Sequence, residues 1–206
     1  MAQASTEEKI LEAAVAEFAK FGFEGARIDR IAKKAKINKA MIYYHFKGKE
    51  ALYRRIISDI SARIYSFIMD SMPGEDDPLR KIETVMSRFI QYTQSVDVSI
   101  VQISLRELAN GGRLLKDIVI PRLHMPMIQF FVKALQEGKE KGVFRDVNPY
   151  YSYLQLFGGI VMLNGMRLVL PGNPLYDVVF PPDYVEQFTE NMLTVFTKGI
   201  SAAGGE

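Results

Sequence analysis

The sequence predicts an all-α protein. Apolar residues recur at spacings of three and four along almost every segment. No segment alternates apolar and polar residues as a half-buried strand does. The segments are parted by short clusters of Gly, Pro, Asn and Asp, which end helices and form turns. There is no internal repeat and no low-complexity stretch.

The first helix opens in "STEEKILEAAVAEFAKFG", where Ser5 and Glu8 stand three apart as in a capping box. Ile10, Leu11, Ala14, Phe18 and Phe21 then follow at helical spacing, and Gly22 is placed to end the helix. A second, short helix fits residues 27–34, with Ile28, Ile31 and Ala32 turned inward. "AKIN" breaks it, and Asn38 is a good N-cap for a third helix over 39–45. After Gly48 a long helix is expected over 49–71, with Leu52, Ile56, Ile60, Ile64 and Phe67 on one stripe.

"PGEDDP" at 73–78 is a turn whose acids suit the positive N-terminus of the next helix better than a metal. Helices are expected at 79–95 and 99–109, with a turn at "NGG", 110–112. Residues 113–141 read as helical, although Pro121 and Pro126 must each start, kink or break a helix. "GVFRDVNP" is a loop, and helices over 149–169 and 182–200 finish the chain, with "PGNP" and "FPPD" between them.

Of the 206 residues, 48% are apolar, enough for a substantial core, and the absence of Cys excludes disulfides and thiolate metal sites. The N-terminal "MAQASTEEKILEAA" has acids where a signal peptide needs bases. The most apolar stretch, 154–170, is interrupted by Asn164 and Arg167 and is short for a membrane span. The expectation is a soluble, cytoplasmic protein with no membrane partner. The net charge of +2 conceals an asymmetry: residues 27–55 carry ten Lys/Arg against two Asp/Glu, whereas residues 61–206 carry fourteen against sixteen. A basic segment on a nearly neutral body suits a polyanion, and a solvated charged face would look the same by charge alone.

Two short helices joined by a tight turn, after a longer first helix, form a helix-turn-helix unit. In such a unit the second helix enters the DNA major groove. Here that helix carries "NKAMIYYHF", 38–46. Ile42 and Phe46, four apart, face the small core, which leaves Lys39, Ala40, Tyr43 and Tyr44 on other sides. Phosphates accept hydrogen bonds from Tyr, Lys and His, and a ring or methyl group can touch a thymine methyl.

Residues 9–55 resemble the N-terminal DNA-binding domain of the TetR family of transcriptional repressors. The matching elements are the Ala-Ala and Phe of the first helix, "FGFEG", "IA" at 31–32, "IYYHF" at 42–46 and "KEALY" at 49–53. The rest of the chain matches only in layout, with "EGKEKGVFRDVNP" similar to the loop that commonly precedes the dimerisation helices. The resemblance implies a helix-turn-helix domain over 1–48 and a larger helical domain over 49–206 that binds a small molecule and forms a homodimer. By position it places Tyr43, His45 and Lys49 against phosphates of a double-stranded DNA operator, and Lys39, Ala40, Met41 and Tyr44 against bases or thymine methyls. Two positions depart from the pattern: the turn residue that is usually Gly is Lys36, and the usual Thr or Ser before the second helix is Arg27, which could itself reach a phosphate.

In the larger domain Met86, Phe89, Tyr92 and His124 are candidates for contact with a small-molecule effector, together with Met125, Phe130, Met162 and Met166; each could equally be core. Dimerisation also follows from the need for two recognition helices about 34 Å apart, or a multiple of that. Candidate interface residues are Gly158, Gly159 and Gly165, which allow close approach, and the stripe Phe188, Met192, Val195 and Phe196. Catalysis, a cofactor and a metal have little support, because the two His, the lack of a Gly-rich phosphate loop and the lack of a nucleophile motif supply no such site. The reading is a ligand-responsive transcriptional repressor. A helical adaptor that binds protein, an activator of the same fold, and a helical enzyme are the alternatives.

Overall fold

The computed structural model describes residues 5–70 and 75–202. Among them are ten α-helices and one π-helical stretch, and the β pairing is confined to an isolated bridge between Phe144 and Ser201. The chain divides into two compact units, one of residues 1–63 with 96–122 and one of residues 64–95 with 123–206.

The first unit begins with α1 (Thr6–Gly25). Ser5 and Glu8 close the expected capping box: Glu8 N–H donates to Ser5 Oγ at 3.2 Å and Ser5 N–H to Glu8 Oε2 at 2.7 Å. At Gly22 the helix breaks with φ 68°, a value that favours glycine, and one more turn carries it to Gly25. Helix α2 (Ile28–Ala35) and helix α3 (Lys39–Phe46) follow, each within a residue of its expected bounds. Between them Lys36 adopts the left-handed conformation, φ 55° and ψ 44°, where the sequence lacks the usual Gly. Asn38 caps α3 by accepting from Ala40 N–H at 2.9 Å. The core of the unit gathers Ile10, Ala14, Phe18, Ile31, Ile42 and Leu52 with Ile103 and Leu114.

These last two belong to α6 (Val98–Ala109) and to the helical residues 113–114 that follow its turn, and α6 packs along α1. Arg106 Nε donates to Ala19 O at 3.0 Å. Buried Glu107 accepts from Leu114 N–H at 2.7 Å and from Tyr53 O–H at 3.2 Å. Burial, then the charge of Glu107, raises the Tyr53 pKa, so the phenol keeps the proton it donates.

Helix α4 (Lys49–Met69) runs from the first unit into the second. Leu52 and Ile56 of its expected stripe are buried, but Phe67 is 38% exposed and its neighbour Ile68 is buried instead. The buried face changes along α4 because its start packs into the core of the first unit, with Leu52 and Ile56, and its end belongs to the second unit, where Ile68 is covered.

In the second unit α5 (Pro78–Ser95) packs against α7 (Met125–Glu140), α8 (Pro149–Val169) and α10 (Tyr184–Ile200). The acidic turn before α5 lies partly outside the described residues, but Asp77 does cap α5, accepting from Leu79 N–H at 2.8 Å. Ile82, Val85, Ile90, Phe131 and Ile160 are fully buried. Lys81 Nζ meets Glu137 Oε2 at 2.6 Å. Gly138 lies under the buried Phe144 ring, where a Cβ would sit 1.9 Å from Phe144 Cδ2. The short helix α9 (Leu175–Val179), between the two proline pairs, has no counterpart in the expected elements.

Pro126 sits in the first turn of α7, directly after a π-helical stretch. Pro121 neither starts nor stops a helix: it lies inside the π-helical stretch Leu115–His124, which joins α7 without a break. Among the described residues the segment Leu115–Glu140 is long and apolar enough to cross a membrane by length and composition, with mean hydropathy 1.2. Leu123, Met127, Phe131, Ala134 and Leu135 turn its apolar side into the protein.

Candidate nucleic-acid interface

Helix α3 is anchored by two side chains. Ile42 and Phe46 are buried in the core of the first unit. That fixes the rotation of the helix, and the remaining large side chains have to face out. Tyr44 is 80% exposed, Tyr43 is exposed, and so are Lys39 and Ala40, while Met41 is half-buried. These five make one surface at the N-terminal end and flank of α3, with Arg27 exposed before α2.

Two further residues occupy positions that differ from the phosphate contacts the resemblance implies. Lys49 Nζ donates to three backbone carbonyls near the end of α1, Phe23 O at 2.8 Å, Ala26 O at 3.3 Å and Glu24 O at 3.4 Å. An ammonium has three N–H groups, so in this arrangement none is left for a phosphate. The ammonium also lies 4.6 Å from the centre of the Phe23 ring. Lys49 therefore ties the start of α4 to the end of α1. His45 is turned inward: its Nε2 is buried and has no hydrogen-bond partner, and its ring meets Tyr44 edge-on at 5.2 Å. A phosphate contact from that nitrogen requires the ring to turn.

Three residues of this region escape a reading of the sequence. Asp29 Oδ1 lies 2.8 Å from Lys39 Nζ, which raises the Lys39 pKa and holds its side chain across the helix-turn-helix. Glu17 is buried on α1 and accepts from Arg27 N–H at 3.1 Å and from Arg30 Nε–H at 2.6 Å. Arg30 in turn donates to Gly25 O at 2.6 Å and lies 4.2 Å from the centre of the Phe21 ring. The available signal is an acid at position 17, on the same face as Ala13, Ala14 and Phe18, where an apolar residue would be expected.

In the second unit the candidate effector residues part company. Met86 and Phe89 line a small apolar cavity of about 10 Å³, together with Ile68, Leu123, Met127, Tyr153 and Phe157. His124 stands against it: its Nδ1 lies 2.6 Å from Tyr153 Oη, and its ring meets Phe157 edge-on at 4.5 Å. Burial holds the His124 pKa down at about 4 and raises that of Tyr153, so both are neutral near pH 7. Tyr92 is buried against Phe67, 5.3 Å between ring centres, and Phe130 and Met166 are half-buried away from the cavity lining. Met125 and Met162 are surface residues, the latter 60% exposed. Helical phase decides this: Met127 and not Met125 falls on the inner face of α7.

The candidate interface residues also divide. Gly158 is exposed, and a Cβ there or at Gly165 would meet nothing within 4 Å. At Gly159 the nearest atom would be Phe188 Cζ of the same chain, 3.8 Å away. Phe188 and Met192 are half-buried and Val195 is 66% exposed, whereas Phe196 is 8% exposed and so belongs to the interior of its own chain. On α8 the exposed side chains Tyr151, Leu154, Met162 and Val169 fall with Gly158 and Gly165 on one stripe. Among the described residues no group of His, Asp or Glu could hold a metal ion.

Comparison with known proteins adds to this geometry. Residues 10–56 match the family described as bacterial regulatory proteins, tetR family. The chain is 28% identical over 166 residues to the HTH-type transcriptional repressor NicS of Pseudomonas putida, covering 80% of this chain and 78% of that one. It is 29% identical over 167 residues to the HTH-type transcriptional repressor SCO4008 of Streptomyces coelicolor, covering 81% and 80%. Its fold is that of the ketosteroid transcriptional regulator KstR2 of Mycobacterium tuberculosis, with TM-score 0.73, 21% identity and 97% of each chain covered.

Proposed function

Starting from a chain whose residues 10–56 are those of the TetR family of bacterial regulatory proteins, we propose that it is a sequence-specific DNA-binding transcriptional repressor, released from its operator by a small, mostly apolar molecule. The observation that carries this reading is the outward face of α3. Two tyrosines stand on it beside Lys39 and Ala40, on a helix locked in rotation by Ile42 and Phe46, within a segment of ten cations and two anions. A protein-binding adaptor would not need that excess of charge around the aromatic pair. Arg27, Lys39, Tyr43 and Tyr44 are the residues assigned to DNA, with Ala40 and Met41 touching bases or methyl groups.

The protein acts in the cytoplasm as a homodimer, because one short helix gives little affinity alone and a paired site needs two. The apolar stripe on α8 is the surface assigned to the partner copy. The effector enters the second unit beside His124 and Tyr153, a neutral polar pair set in aromatic surroundings. The cavity of about 10 Å³ holds about one water, far below the several hundred Å³ of a small-molecule site. An effector bound at this cavity therefore opens it, and acts by population shift. A hundredfold loss of operator affinity needs about 2.7 kcal/mol of preference for that state.

The test begins with selection of bound duplexes from a random pool. Tyr44→Ala should then bind the selected operator about tenfold more weakly or worse, with random duplex little affected and the melting temperature unchanged. Unchanged operator affinity would show that α3 does not face DNA in this orientation.

A further inference from the structure

The N-terminus of α2 is built in an unusual way. The residue that precedes it, Arg27, has a side chain without an acceptor and makes no side-chain cap. In a capping box the third residue of the helix reaches back to the backbone N–H of the N-cap residue. Here that third residue is Arg30, which has no acceptor either. The N–H of Arg27 is instead taken by Glu17, ten residues earlier on α1, at 3.1 Å. The same carboxylate oxygen accepts from Arg30 Nε–H at 2.6 Å. Arg30 also donates to Gly25 O at 2.6 Å and covers Phe21.

We infer that Glu17 is a positioning residue for DNA recognition. It serves as the acceptor half of a capping box, delivered from another helix, and fixes the orientation of α2, and with it the attached α3, on α1. The inference rests on the DNA-binding reading given above. Its physical basis is burial. The Glu17 side chain is 8% exposed and the Arg30 side chain 40%, so the carboxylate is held away from water by its partners and cannot wander. A local box caps a helix but leaves its angle to neighbours free. A carboxylate delivered from α1 caps α2 and joins the two helices in one contact. Between α2 and α3 lie only Lys36, Ile37 and Asn38, so an error in the placing of α2 is passed on to α3 and to Tyr44.

Four proteins test this on the full chain: wild type, Glu17→Ala, Glu17→Gln and the double variant Glu17→Ala/Arg30→Gln. The probe is the duplex that wild type selects from a random pool. Helix content, exchange of the Arg27 amide and affinity for that duplex are read for each. Glu17→Ala should speed exchange of the Arg27 amide at least about tenfold and weaken operator binding about tenfold. Glu17→Gln keeps an acceptor for Arg27 N–H without the ion pair, so it should protect the amide and bind several-fold more weakly with unchanged helix content. In the double variant, the glutamine introduced by Arg30→Gln restores a box within α2. It should return protection to the Arg27 amide while operator affinity stays low, because the bond to α1 is gone. Full recovery of affinity in the double variant would reduce Glu17 to a cap, and wild-type affinity in Glu17→Ala and Glu17→Gln would overturn the inference. If wild type selects no duplex, the DNA-binding reading itself fails, whereas the amide exchange still reports whether Glu17 holds α2.

Discussion

Single side chains have separable duties, and two substitutions show how to tell them apart. Lys49 spends its ammonium on the carbonyls of Phe23, Glu24 and Ala26. Lys49→Ala should therefore cost about 1–3 kcal/mol of stability and leave the salt dependence of DNA binding unchanged. Denaturant unfolding and a salt titration check this; a slope shallower by about one ion would return Lys49 to the phosphates. His124 carries a pH dependence. Its pKa of about 4 lies below the ordinary 6.5, so the unfolded chain binds the extra proton in that interval and the folded chain does not. The contribution is present above pH 6.5 and is lost as pH falls towards 4. Wild type should lose stability between pH 6.5 and 5, before most carboxylates titrate, by an amount on the order of 1–2 kcal/mol. His124→Gln should remove that slope, read as melting temperature against pH.

At the scale of helices and turns, local chemistry made much of the fold legible. The Ser5–Glu8 box and the Asn38 cap each act within a few residues, and the sequence places both. Gly22 likewise marks the break in α1, though a further turn follows it. What escaped depends on distant partners. The rotation of α8 and α10 is set by packing against α5, so Phe196 of the expected interface stripe turns inward and Met162, a candidate effector contact, turns outward. The π-helical stretch through Pro121 and the short α9 have no signature that separates them from an ordinary helix and an ordinary loop. Glu17 was hidden for the same reason, since its partners lie ten and thirteen residues on. The left-handed Lys36, φ 55°, stands where a glycine would cost less. Lys36→Gly should stabilise the protein by about 1 kcal/mol, measured by denaturant unfolding; no change or a loss would mean that the lysine side chain compensates for its backbone.

For the molecule as a whole, the all-α class follows from helical spacing alone, and the match to the tetR family lies in the first quarter of the chain. The effector site was the least legible part. A Met at helical spacing is equally at home in a core, a cavity wall or a surface, and Met86, Met125 and Met162 came to rest in different surroundings. The exposed stripe on α8 and the buried Phe196 offer a paired test of assembly. Met162→Arg should yield a folded monomer, because a guanidinium is costly to bury between two copies. Phe196→Arg should instead unfold the chain. Light scattering with circular dichroism distinguishes them, and a dimer that survives Met162→Arg would move the interface off this stripe.

The contact among Glu17, Arg27 and Arg30 also bears on how such a sequence can change over time. Positions 17 and 30 are bound to vary together. An apolar residue at 17 strands the Arg27 amide and leaves Arg30 without its anion, while an acid at 30 sets two carboxylates side by side. A chain that already carries Glu or Gln at position 30 can close the box within α2 and is free to place an apolar residue at 17. Passage between these two arrangements by single substitutions crosses a less stable intermediate in either order. The two forms are therefore expected to persist as separate lineages rather than to mix.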